Sequence, residues 1–221
     1  MLGGIVPLLY VAEPPLMREA PPRAYRAARM GMWLYFADGW IQVSLATAWS
    51  LLMFQSLSER YDSFGGTLSL AALAGAIGGM VLGRVIDRGY ARRAVWINAV
   101  ILAATLALRS VSGGNAAAVV VVAVGTTLFS GLYLPTWMTA VYNEAKAAPC
   151  MLRFQFAAEG GWDAGGALAG VLAAAVCLFG LPLAAAILLA LPVVLLQALL
   201  LERSYAKRRE SSAPMLITAP I

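Results

Sequence analysis

The segment AAAVVVVAVGTTLFSGLYLPTWMTAV, residues 116–141, contains no charged side chain and decides the class of this protein. It exceeds the ~20 apolar residues with which an α-helix crosses a bilayer. Only 12% of the 221 residues are charged, whereas soluble domains carry about 25%. Further apolar stretches lie at residues 31–55, 67–86, 95–108, 154–179 and 181–201. The sequence therefore predicts an all-α membrane protein with six transmembrane helices.

These stretches place the transmembrane domain at residues 30–203. Residues 1–29 contain an apolar stretch too short to cross a bilayer, followed by a linker with two Pro-Pro pairs. The basic residues of this region follow the apolar stretch, whereas a secretory signal has them first, so no signal peptide is predicted. Residues 204–221 are predicted to form a disordered cytoplasmic tail.

The basic residues predict the orientation. Fourteen of the 16 lie before the first stretch, in alternate connections, or after the last stretch. The opposite side keeps Arg60 and Arg109. Since cytoplasmic loops are enriched in Lys and Arg, both termini are predicted inside. The third stretch is short, and Arg109 at its end is expected to extend the span by snorkelling to the interface. The outer connections are predicted as turns at residues 56–66, 109–115 and 180–182.

Several classes of chemistry lack the residues they require. The chain has no histidine, which excludes a Ser/His dyad and a helical zinc motif. Cys150 and Cys177 are isolated and suggest neither a disulfide nor a metal site. The net charge of +5 comes from short loops, where membrane topology explains it without nucleic acid. We predict no enzyme activity, no cofactor and no metal.

One loop carries a resemblance to a known family. Residues 83–93 read GRVIDRGYARR, which resembles the signature loop of the major facilitator superfamily, roughly G-x-L-a-D-R-x-G-R-R. The second glycine falls one residue early and the paired arginines one residue late. In the family, this loop joins the second and third helices of a six-helix half on the cytoplasmic side, where our topology also places residues 83–93.

The resemblance implies a six-helix half built as a 3+3 inverted repeat. It is the C-terminal half that the chain resembles, because residues 13–29 are similar to the central linker of the family. A second six-helix half, from a separate chain or another copy, is then the expected partner. The implied gating loop comprises Gly83, Asp87, Arg88, Arg92, Arg93 and, on the fourth span, Glu144. Asp87 would cap a helix of the other half, and Arg88 and Arg92 would pair with Glu144. The alternative is an ordinary cytoplasmic loop.

Three carboxylates lie inside predicted spans. Asp38 and Asp163 are each ~13–15 Å from the cytoplasmic end of their spans. Glu159 lies one turn from Asp163 on the same helix face. Ionisable groups within a bilayer are costly and often mark transport pathways, so these residues are predicted to form a proton-coupling cluster. The alternative is structural, with Glu159 and Asp163 in the first turns of their helix and Asp38 paired with Arg29.

Polar and aromatic residues near these carboxylates are predicted to line a solute cavity. They are Gln42, Ser44, Thr47, Tyr133, Trp137 and Trp162.

Glycines at helical spacing mark candidate helix interfaces. Gly75 and Gly79 on the second span, and Gly166 and Gly170 on the fifth, belong to small-xxx-small patterns. In the superfamily these two helices meet the opposite half. Contacts within the chain would explain the same glycines.

Together these features predict half of a secondary active transporter in the inner or plasma membrane of a bacterial-type cell. It would move a small solute across the lipid bilayer, with protons as the coupling ion. The alternative is a non-transporting scaffold or regulatory module that binds a partner half.

Overall fold

The computed structural model describes residues 23–86, 91–129 and 133–211. Within these ranges the chain is helical, with short turns and no strand. In chain order the helices are α1 (Ala24–Ala27), α2 (Arg29–Ser44), a π-helical segment (Leu45–Trp49), α3 (Ser50–Ser56), α4 (Tyr61–Ile86), α5 (Ala91–Val111), α6 (Ala116–Phe129), α7 (Tyr133–Ala147), α8 (Met151–Leu178), α9 (Leu183–Leu188) and α10 (Leu191–Ser211). The all-α prediction is confirmed for these residues.

Four helical segments are long and apolar enough to cross a membrane, namely Tyr61–Met80, Arg93–Val111, Met151–Leu178 and Leu183–Ala206. A fifth is obtained if α6 and α7, which meet at a 41° bend, form one span. The bend runs over residues 130–132, which lie outside the described part of the chain. The chain therefore has four or five candidate membrane spans, while six spans, the inverted repeat and the inward termini stay predictions.

The helix of the first predicted span is not in this count. Residues 29–56 are helical throughout, with the π-helical segment between α2 and α3. Thr47 Oγ1 donates a hydrogen bond to the Val43 carbonyl oxygen at 2.7 Å in this region. Such bonds from a threonine to the preceding turn compete with the helical backbone ladder and often bend helices.

Helix ends differ from the predicted turns in two places. The turn after α3 covers only residues 57–60, and α4 begins at Tyr61, so residues 61–66 are helical rather than part of the connection. The third span is longer than expected because α5 covers Ala91–Val111. Asn115 then accepts a hydrogen bond from the Ala118 N–H at 3.0 Å, which satisfies a free donor in the first turn of α6.

Helices α2 and α8 form the most extensive helix pair among the described residues. They run parallel, since Met32 faces Gly161 and Phe36 faces Gly165 further along both helices. A Cβ at either glycine would overlap a carbonyl oxygen of α2. Small residues allow this close approach in membrane bundles, where van der Waals packing replaces the hydrophobic effect.

Two apolar clusters fill the bundle at different levels. One contains Ile41, Met53, Leu106 and Ile187 and lies towards the turns at 57–60 and 112–115. The other contains Leu34, Trp137, Phe154 and Leu201 and lies towards the start of α2. Asp38 is between Leu34 and Ile41 in the sequence of α2, so its side chain emerges between the two clusters. This position defines the candidate site.

Candidate functional site

The Asp38 carboxylate is buried where helices α2, α7 and α8 meet. Its side chain is only 6% exposed. The Tyr133 hydroxyl donates a short hydrogen bond to Oδ1, and Trp162 Nε1 donates to Oδ2 at 3.1 Å. The alternative in which Asp38 pairs with Arg29 is wrong, because Arg29 is exposed and the carboxylate bonds instead to these two neutral donors.

Gln197 extends the network to a fourth helix. Its Nε2 donates to the Tyr133 hydroxyl oxygen at 2.7 Å from α10. Gln197 is almost completely buried. It was not among the predicted site residues, although a single amide within the apolar stretch at residues 181–201 was a usable signal. Buried polar groups require partners, and the network supplies one.

The network therefore links four helices through neutral groups. Gln42 lies one turn after Asp38 on α2 and is exposed. Arg60 and Asp62 form an ion pair at 2.6 Å, and no basic side chain among the described residues pairs with Asp38. Hence the carboxyl can change protonation without breaking a salt bridge.

The other two predicted carboxylates are not brought to Asp38. Glu159 and Asp163 are exposed on α8, and the described residues contain no group of three acidic, Cys or His side chains close enough to hold a metal. Their helix begins at Met151, which places Glu159 ~12 Å and Asp163 ~18 Å from its start. The alternative that places them in its first turns is therefore wrong as well.

Glu159 belongs to a separate polar contact. Gln155 Nε2 donates to Glu159 Oε1 at 2.6 Å and lies 3.5 Å from the Tyr35 hydroxyl. Tyr35 is buried against Trp137, with their ring centroids 4.9 Å apart. This contact ties the exposed carboxylate of Glu159 to the α2–α8 pair.

The predicted cavity residues divide into two groups. Tyr133 and Trp162 donate hydrogen bonds to Asp38, as described above, and Gln42 lies one turn from it on α2. Trp137 packs in the apolar cluster, with its Nε1 3.4 Å from the Leu34 carbonyl oxygen. Ser44 is buried, and Thr47 is exposed on the π-helical segment. The cleft beside Gln197, lined also by Asn98, Leu102 and Val194, has no room for a water molecule.

The predicted interface glycines also divide. A Cβ at Gly75 would lie 2.9 Å from Thr127 on α6, and one at Gly166 would lie 2.8 Å from Val43 on α2. For these two glycines, contacts within the chain are present. A Cβ added at Gly79 or at Gly170 would have no neighbouring atom within 4 Å. For Gly79 and Gly170, an interface with a second half stays a prediction.

Part of the predicted gating loop lies outside the described residues. Asp87 and Arg88 lie outside the described residues. Gly83 is in the last turns of α4, Arg92 is in the first turn of α5, and Arg93 is exposed. Glu144 Oε1 accepts a hydrogen bond from Ser204 Oγ at 2.7 Å. That bond connects α7 with α10 at the end of the bundle where the loop is predicted.

No protein-family model, curated protein or solved structure matches the chain.

Proposed function

We propose that this protein is one half of a proton-coupled secondary transporter of the inner or plasma membrane, with Asp38 as the proton carrier. The observation that carries the proposal is the buried Asp38 carboxyl, held by Tyr133 and Trp162 and linked to Gln197. Ionisable groups inside membrane bundles are costly to retain and commonly mark ion or proton pathways.

The chemistry of the network suits two protonation states. The Tyr133 hydroxyl donates to the carboxylate and accepts from Gln197. A phenolic oxygen has two lone pairs, so the second can accept a hydrogen bond from the protonated acid. Tyr133 must then release its own donated bond, and the contacts among four helices change with the proton. Proton binding would in this way bias the packing of the bundle.

The two exposed carboxylates of α8 support the proposal that a second six-helix half is present. Asp163 and Glu159 lie on the open surface of α8, within a segment apolar enough to span the membrane. Hydrocarbon does not solvate carboxylates, and intramembrane acidic groups usually face a bundle interior or a watery cavity. A second six-helix half, from a separate chain or another copy, would enclose this surface and complete the solute pathway.

One observation favours the non-transporting alternative. The cleft between α5 and α10 beside Gln197 contains no water-sized cavity. A packed bundle of this kind suits a scaffold that binds a partner half and moves no solute. The two candidates differ in whether Asp38 exchanges a proton during function.

The test compares Asp38→Asn with the matched variant Asp163→Asn. The protein is reconstituted in liposomes and examined by infrared difference spectroscopy between acidic and alkaline buffer. We expect a carboxyl band that is lost in Asp38→Asn and retained in Asp163→Asn. In vesicles with an imposed pH gradient, accumulation of labelled solutes should also be lost in Asp38→Asn.

A difference spectrum unaffected by Asp38→Asn would remove Asp38 as proton carrier. Proton exchange at Asp38 without any gradient-driven solute accumulation in membranes from the producing cell would favour the scaffold.

A further inference from the structure

Arg109 does not snorkel to the interface as expected. Its side chain turns into the bundle, where Nη2 and Nε donate to Thr126 Oγ1 at 3.0 and 3.3 Å. Its Cζ lies 4.9 Å from the centre of the Trp49 ring. Both partners are buried, Thr126 at 6% and Trp49 at 5% exposure. The guanidinium is thus held between α5, α6 and the π-helical segment.

The guanidinium lies well inside the bundle. Ser56 Oγ accepts a hydrogen bond from the Gly114 N–H at 3.0 Å, which marks the end of the bundle. Trp49 precedes Ser56 by about two helical turns, or ~10 Å. A cation at this depth is costly. Its contacts are a hydroxyl and a ring, and no carboxylate among the described residues pairs with it.

Part of the guanidinium remains available. Arginine has five N–H donors, and Thr126 uses one on Nε and one on Nη2. The Thr126 hydroxyl donates its own proton to the Val122 carbonyl oxygen at 2.7 Å, so it can only accept from Arg109. Nη1 therefore presents its donors to a further group.

The π-helical segment sets this geometry. A π turn adds one residue to the helix, which rotates the following side chains by ~100°. Trp49 is the last residue of that segment, so the rotation decides that its ring faces Arg109. Such insertions into α-helices frequently occur at functional sites. The ring supports one face of the guanidinium and leaves its edge free.

From this geometry we propose that Arg109 binds an oxyanion, either a carboxylate or a phosphate group. Guanidinium binds such groups through paired hydrogen bonds, and an anion would neutralise the half-buried cation. The site involves none of the Asp38 network residues, so it does not depend on the proposed proton carrier. The oxyanion belongs either to a small solute or to the headgroup of a phospholipid.

The experiment uses inorganic phosphate as the probe. Thermal unfolding of the full chain in neutral detergent is measured against phosphate concentration, with chloride at the same ionic strength as reference. Arg109→Lys retains the cation beside Trp49 but loses the planar fork. Arg60→Lys is the matched control, because Arg60 is exposed and pairs with Asp62. Native mass spectrometry of the same samples detects retained phospholipid.

Saturable stabilisation by phosphate, at least about tenfold weaker in Arg109→Lys and unchanged in Arg60→Lys, supports a site for a solute anion. Retained phospholipid in the unmodified protein and in Arg60→Lys, but not in Arg109→Lys, supports a headgroup site. Neither effect, or an equal loss in both variants, overturns the proposal.

Discussion

At the scale of single residues, the Tyr133 hydroxyl is the centre of the candidate site. It contacts both Asp38 and Gln197, and it belongs to a different helix from each. Asp38 was predicted as a site residue because it is an ionisable group within an apolar span, and Tyr133 was predicted to line a cavity near the carboxylates. Their direct contact was not predicted. The two residues are 95 positions apart, and no local sequence pattern indicates which faces of their two helices will be in contact.

Tyr133→Phe tests this central role. The ring remains, but Asp38 Oδ1 and Gln197 Nε2 each lose a buried partner, which we expect to cost about 1–3 kcal/mol. Tyr25→Phe is the control, since Tyr25 is exposed and meets Arg153 through its ring. Chemical unfolding in detergent measures both. Equal stability of the two variants would show that the hydroxyl does not hold the network together.

At the scale of helices, the parallel pair α2 and α8 determines where the site can form. Gly161 and Gly165 bring the two backbones together, and this approach carries Trp162 within hydrogen-bonding distance of Asp38. The small-xxx-small spacing indicated close helix contacts. The spacing could not identify the partner helix, since a glycine face can pack against the backbone of any neighbouring helix.

Neighbouring glycines allow a matched test of this contact. A Cβ at Gly161 overlaps the Met32 carbonyl oxygen, whereas one at Gly160 meets no atom within 4 Å. Gly161→Ala should destabilise the protein by about 1–3 kcal/mol through overpacking. Gly160→Ala should be neutral or stabilising by up to ~1 kcal/mol, because alanine favours the helix. Thermal unfolding in one detergent compares them, and the same shift for both would argue against the close contact.

At the scale of the whole molecule, the distribution of basic residues predicts which face of the membrane each turn occupies. Fourteen of the 16 lie on the side assigned to the cytoplasm. The structure places the turns at 57–60 and 112–115 at one end of the bundle, through the contact between Ser56 and Gly114. The connection at 148–150 belongs to the side assigned to the cytoplasm.

Cysteine labelling tests the orientation, with Cys177→Ala in every variant. Cys150 should react with an impermeant maleimide only after the cells are opened. A cysteine introduced by Ala117→Cys, in a chain that also carries Cys150→Ala, should react in intact cells, because Ala117 is exposed at the start of α6. The reverse pattern would place both termini outside.

Local composition was sufficient for the all-helical class, for several helices long and apolar enough to cross a membrane, and for the unusual carboxylate at Asp38, because bilayer thickness and desolvation act on each segment separately. Helix packing decided the rest. Asp38 bonds to Tyr133 and Trp162 rather than sharing a site with Asp163, Gln197 completes the network, and Arg109 turns inward to Thr126. These outcomes depend on the rotation of each helix about its axis, which is set by backbone contacts at Gly161 and Gly165 and by the extra residue of the π-helical segment. Such rotations arise only when helices distant in sequence come into contact.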